Sequence, residues 1–194
     1  MVWLETQRLI LRDFTLEDVS QLAPILSDPR VMEFSPKGVL STVETQGKIE
    51  EFIALYQNRG FGKWAVIFKA TNQLIGYCGI ALERIDGMDE PELGYRLEPA
   101  FWGQGLATEA AKPALNYGLG QLQLPYLLGI VEPANTASAK ILKKLGLKYD
   151  RTTILHGSEV LDSLKFLTGS RLWFKRLRMA YQWVEEDQVW RSGI

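Results

Sequence analysis

Ten consecutive residues, Phe101-Trp102-Gly103-Gln104-Gly105-Leu106-Ala107-Thr108-Glu109-Ala110, carry the spacing closest to a chemical task. Two glycines one residue apart let the backbone turn tightly and leave no side chains over the turn. A helix-like run opens behind them, from about residue 106 to 122. Its first amides, from Gln104 to Thr108, have no intrahelical acceptor and lie at the positive end of the helix dipole. Such amides seat an anion, and a phosphate best. An ordinary strand-to-helix turn would use the same residues. No Gly-Lys-Ser/Thr follows the glycines, so this is not a nucleoside-triphosphatase loop. Thr108 stands where a dinucleotide fingerprint would place its third glycine, so that pattern fits poorly.

The elements that must position this stretch read as follows. Residues 4–14 alternate around Leu9, Leu11 and Asp13 and predict a first strand. Thr15 suits an N-cap before Leu16-Glu17-Asp18, and that helix stops near Ser27 at Asp28-Pro29. Residues 30–38 are a loop or short helix. Thr42 is the expected cap of a second helix, with Ile49, Phe52, Ile53 and Tyr56 on one face and Gly60 as its stop. Strands at 63–69, 73–83 and 92–97 follow, turned at Thr71-Asn72 and Asp86-Gly87. Behind the glycines, Leu106, Ala110, Ala114 and Gly118 form a stripe that lets the helix sit close to a sheet. Pro113 should bend it. A strand at 126–131 leads to a helix over 136–145, capped by Asn135 and ended by Gly146. Two strands, 149–155 and 159–167, and a helix over 170–187 complete the chain. Trp173, Leu177, Ala180 and Val184 line the apolar side of that last helix, which reads as docked on the domain with its charges solvated. A dimer contact, or a surface for an acidic partner, is the alternative use.

The 194 residues suit one domain, at 1–168, with a helical extension at 169–194. The net charge of −1 gives no field to recruit nucleic acid or acidic membranes. The arginines beside Trp173 and Phe174 would permit a nucleic-acid surface, and the overall charge does not support one. Cys78, the one cysteine, makes no internal disulfide and no metal cluster, so no metal is expected. A reducing cytoplasm fits that usage. The N-terminus lacks a basic region before an apolar run, so no signal peptide is expected. No apolar run is long enough to span a bilayer.

Trp-Gly-Gln-Gly-Leu-Ala-Thr-Glu-Ala resembles the acyl-CoA pyrophosphate loop of the general N-acetyltransferase (GNAT) superfamily, and is most similar to its RimJ/RimL-like branch. Trp102, Gly105 and Ala107 hold the places of the pattern Gln/Arg-X-X-Gly-X-Gly/Ala. Two further stretches carry the likeness: Leu4-Glu5-Thr6-Gln7-Arg8-Leu9-Ile10-Leu11-Arg12, similar to the branch's first strand, and Asn135-X-X-Ser138-X-X-Ile141-Leu142-X-Lys144-Leu145-Gly146-Leu147, where Leu147 replaces the usual Phe. The resemblance spans residues 4–168. It implies an α+β fold with a mixed, mostly antiparallel sheet of about seven strands flanked by helices. It also implies acetyl transfer from acetyl-CoA to a primary amine, on a protein N-terminus or a small molecule.

A lysine amine titrates near ~10.4 and an α-amine near ~8, so the site needs a proton acceptor, reached directly or through water. It must also hold the amine at the thioester carbon and offer a donor to the oxyanion. In the family the strand before the loop splays from its neighbour and the pantetheine arm fills the gap. By that likeness Leu97 offers its N–H to the acetyl carbonyl. Trp102, Gly103, Gln104, Gly105, Leu106, Ala107 and Thr108 hold the pyrophosphate, and Asn135 contacts the pantetheine. Glu92 is the candidate base, with Glu90 as an alternate and an edge carboxylate without a chemical role as the plain alternative. Ser138 would protonate the departing thiolate or only bind. The Tyr that many members use there falls at Leu142. Residues 30–38 are where the family often shapes the acceptor pocket. His156 and the lysines 140, 143 and 144 read as non-catalytic, though one lysine could touch the nucleotide phosphate. Two further readings stay open: a non-catalytic acetyl-CoA-binding module or sensor, and a monomer or a homodimer.

Overall fold

The computed structural model describes residues 3–85, 87–155 and 158–167. The 170–187 helix, its charges and aromatics, and His156 lie outside the described residues. Among the described residues, eight strands form one sheet in the order β1-β2-β3-β4-β5-β6-β8-β7. They are β1 (Trp3–Glu5), β2 (Leu9–Arg12), β3 (Lys63–Phe68), β4 (Gln73–Ile85), β5 (Met88–Leu97), β6 (Tyr126–Val131), β7 (Lys148–Leu155) and β8 (Ser158–Leu167). The expected architecture is the observed one. It has one more strand than anticipated because the first run divides: Thr6 N–H bonds the Leu9 carbonyl at 2.9 Å, and the chain folds back there.

The helices are α1 (Val19–Leu26), α2 (Pro29–Met32), α3 (Thr42–Arg59), α4 (Leu106–Asn116) and α5 (Thr136–Lys144). Ser41, not Thr42, caps α3: its hydroxyl accepts from the Glu44 N–H while Glu44 takes the Ser41 N–H, a reciprocal capping box. The run behind the glycines stays α-helical only to Asn116 and closes as a π turn over Tyr117–Gln121. No helix among the described residues is long and apolar enough to cross a membrane.

Alternation along the strands sorts two cores onto the two sheet faces. On one face Leu9, Leu11, Trp64, Ile80, Leu93 and Leu97 pack against Leu106, Ala110 and Ala114 of α4. On the other, Ala65, Ile67 and Tyr77 pack against Leu22, Ile25, Ile49 and Phe52 of α1 and α3. The small residues of α4 do what their spacing implies, since Ala110, Ala111 and Ala114 are all fully buried.

β1 to β5 are antiparallel throughout, and so are β6, β8 and β7. The two blocks meet through a parallel contact of β5 with β6 that has a single register position, Glu92 opposite Leu128. α4 is the crossover that a parallel connection requires.

Candidate active site

β5 ends at Leu97, and a single 3-10 turn, Pro99–Phe101, leads into Trp102. The Trp102 indole N–H donates to the Leu97 carbonyl at 2.7 Å, fastening the loop to the strand end. Gly103 (φ +73°) and Gly105 (φ +78°) both adopt left-handed conformations. A Cβ at Gly103 would meet nothing within 4 Å. Backbone shape rather than crowding therefore selects glycine, because an L side chain in that conformation costs about 1–2 kcal/mol. Gly105 is the N-cap of α4, and its carbonyl accepts the Glu109 N–H at 3.0 Å. The amides of Gly105, Leu106, Ala107 and Thr108 thus lie ahead of the helix's own ladder, beneath an uncrowded turn. Gln104 turns its side chain back onto the Ala100 carbonyl at 3.0 Å.

The N–H of Glu98 bonds the Ile75 carbonyl at 2.8 Å, and Leu97 faces Gly76. In an antiparallel ladder the bonded pairs alternate, so the N–H of Leu97 turns away from β4, toward the side where β6 has diverged. Gly76 permits this tight end: a Cβ there would lie 2.0 Å from the Arg96 carbonyl oxygen. Across the opening, the Asn135 side chain accepts the Ser138 N–H at 3.0 Å and caps α5 as expected. The Tyr95 hydroxyl crosses from β5 to the Ser138 carbonyl at 3.1 Å. Burial pushes the Tyr95 phenol well above its ordinary value, so it stays protonated. Leu142 is buried against Gly129, as a core side chain.

Glu92 lies on the opposite face of β5 and is not an exposed edge carboxylate. Its carboxylate meets the ammonium of Lys63 from β3, and the two side chains are 13% and 7% exposed. Gly94 makes the room, because a Cβ there would lie 2.2 Å from the Lys63 Nζ. Burial works against the Lys63 charge, but attraction to Glu92 outweighs it, and the ammonium is held above the usual lysine range. Glu90 is also buried, held by the Tyr126 hydroxyl and by Arg151 at 3.4 Å. Cys78 is fully buried, and burial pushes its thiol up to about 12, so it is no nucleophile at neutral pH. Arg96 reaches the Met32 sulfur of α2 at 3.2 Å, which brings the segment at 30–38 to the Glu92 face.

A protein-family model described as "Acetyltransferase (GNAT) domain" matches residues 8–148. The chain belongs to the GNAT acetyltransferase family. Among its relatives is the N-acetyltransferase p20 of Bacillus licheniformis, itself uncharacterized. The two are 33% identical over 150 residues, covering 76% of this chain and 83% of p20. The acetyltransferase from Agrobacterium tumefaciens str. C58 superposes with a TM-score of 0.75 at 25% identity, over 87% of this chain and 95% of that one. RimL, a ribosomal-protein α-N-acetyltransferase solved in complex with coenzyme A, shares the fold with a TM-score of 0.68 at 19% identity, covering 84% and 95% of the two chains.

In this GNAT domain, three side chains that hold the candidate site residues together escape a reading of the sequence. Lys63 had a signal, a cation opening the apolar run Lys63-Trp64-Ala65-Val66-Ile67-Phe68. Tyr95 had none, since a strand tyrosine is ordinary. Arg8 is separated by 101 positions from Glu109, which it meets in space.

Proposed function

We propose that this acetyltransferase moves the acetyl group of acetyl-CoA to a primary amine, of a protein N-terminus or a small molecule, by direct attack. The observation that carries this is the pairing of two features: β5 and β6 part after one register position, and the parted strand leads directly into the left-handed glycine loop ahead of α4. The loop's uncrowded turn and its outward amides suit a diphosphate. Bound there, acetyl-CoA supplies an activated thioester. The residues of the chain then bind, orient and move protons. Amides from Gln104 to Thr108 hold the diphosphate, with Trp102 fixing the loop's entry and Asn135 bordering the pantetheine. The Leu97 N–H, turned from β4, donates to the acetyl oxygen and stabilises it as charge develops. Glu92 takes the proton of the acceptor amine, directly or through water. Ser138, in the first turn of α5, binds or protonates the departing thiolate.

Thiol release from acetyl-CoA should depend on an amine supplied from a panel of N-terminal peptides and small amines. Coenzyme A bound in calorimetry with no thiol release against any amine would favour a non-catalytic binding module. No uptake of coenzyme A at all would sink the reading.

A further inference from the structure

The turn joining β1 and β2 is distant from the glycine loop in sequence and lies against it in space. Glu109, in the first turn of α4, accepts four contacts from it. The Thr6 hydroxyl donates at 2.7 Å, the Arg8 backbone N–H at 2.8 Å and Arg8 Nε at 2.7 Å, and Arg8 Nη2 completes the ion pair at 2.6 Å. The same Nη2 donates to the Gln104 carbonyl at 3.1 Å. The turn is itself braced, since Lys69 Nζ holds the Thr6 carbonyl and the Glu5 carboxylate, both at 2.5 Å.

This arrangement meets an electrostatic problem. A carboxylate in the first turn favours the helix but repels a second anion on the same amides. Burial works to neutralise Glu109, but its bonds to Thr6 and Arg8 outweigh that and hold its pKa below the ordinary range, so it is charged at neutral pH. The Gln104 carbonyl adds a further negative dipole beside Gly105. One guanidinium engages both. It stands at the loop's rim, where a Cβ on Gly105 would come within 3.9 Å of Nη2.

We propose that Arg8 is a positioning residue for the donor's diphosphate: it cancels the charge of Glu109 and holds the Gln104 carbonyl, leaving the loop amides free for phosphate. This rests on the reading of Gly103 to Thr108 as the diphosphate seat. The Thr6–Arg8 turn is then part of the donor site and not only a hairpin.

The test compares wild type, Arg8→Met, Glu109→Gln and the double variant. Calorimetry gives the coenzyme A affinity, and kcat/KM is taken with acetyl-CoA and with S-acetylpantetheine, which carries no diphosphate. Arg8→Met should weaken coenzyme A by about tenfold, the size of one charged contact. Turnover of S-acetylpantetheine should fall twofold or less by the same estimate. Glu109→Gln keeps the cation, should fold whatever Arg8→Met does, and should bind coenzyme A more tightly than wild type. The double variant should recover most of the loss. Equal losses on both donors, or weaker binding by Glu109→Gln, would overturn the proposal. An Arg8→Met affinity matching wild type overturns the role of Arg8 alone. Wild-type protein that takes up no coenzyme A overturns the seat, and Arg8's role with it.

Discussion

The ammonium of Lys63 and the carboxylate of Glu92 are in direct hydrogen-bonding contact, side by side across the face of the sheet above Gly94. Each comes from a different strand, and each is shielded from water. The candidate base is therefore not a free carboxylate. It is half of a buried pair that fixes where its oxygens point.

Lys63→Met leaves that carboxylate buried without its partner and should cost about 3–5 kcal/mol of stability. Lys63→Met with Glu92→Gln should recover most of this in urea unfolding. The sign with pH follows from Lys63, whose folded pKa is raised. The pair's contribution is complete below the unfolded lysine value of about 10.4 and is lost as pH rises through the folded value. The stability gap between wild type and the double variant should be flat from about pH 7 to about pH 10 and shrink above. A gap that closes already near about pH 8 would contradict the pairing.

Glu92→Gln keeps the shape of the side chain and removes its ability to accept a proton. Amine transfer should fall by about 10²–10⁴ in kcat, with coenzyme A affinity unchanged in calorimetry. Full transfer across pH would exclude Glu92 as the base.

Gly94→Ala and Gly76→Ala should separate activity from folding. At Gly94 the added Cβ meets side-chain ends, the Lys63 Nζ and the Glu92 carboxylate oxygens, and not backbone. The protein should stay folded, lose about 1–3 kcal/mol, and lose most transfer because Glu92 is displaced. At Gly76 (φ +143°) the Cβ meets the backbone of Arg96 at 2.0 Å, with no side chain able to yield. That variant should be too unstable to give a cooperative thermal transition near the wild-type temperature.

Trp102→Phe removes the donor to the Leu97 carbonyl and nothing else in that contact. One hydrogen bond is worth about 0.5–1.5 kcal/mol. The donor KM should rise about two- to tenfold with kcat held, because the loop is loosened and the base untouched.

Asp18 accepts two bonds from Arg12, both at 2.7 Å, and the Thr15 N–H at 2.9 Å. Burial raises its pKa, and these bonds together lower it by more, so the folded value is depressed. Its contribution is present above the unfolded value near about 3.9 and is lost as pH falls through the folded one. Asp18→Asn should cost about 2–4 kcal/mol at neutral pH, and its deficit should narrow in urea melts below about pH 4.

Where a local pattern set the structure, the sequence showed it. The glycine pair, the Asn135 cap, the stripe on α4 and the Gly60 stop are decided within a few residues, and each stands where its chemistry put it. The β1–β2 division was hidden because no glycine or proline marks the reversal at Thr6, Gln7 and Arg8. Ser41 took the cap from Thr42 because Glu44 lies three residues after the serine, the spacing the reciprocal box requires. The π turn at Tyr117 and the partners of Glu92 and Glu109 depend on contacts made across the fold, which spacing along one chain does not encode.

The single rung between β5 and β6 has a consequence for endurance as well as for catalysis. A pantetheine lying along β5 would act as a strut between two blocks whose strands share one ladder position, Glu92 opposite Leu128. A donor at a hundred times its dissociation constant then adds about 2.7 kcal/mol to the folded state. On that proposal, donor supply and protein lifetime would be coupled: without acyl donor the enzyme would stand nearer to melting, and to proteases.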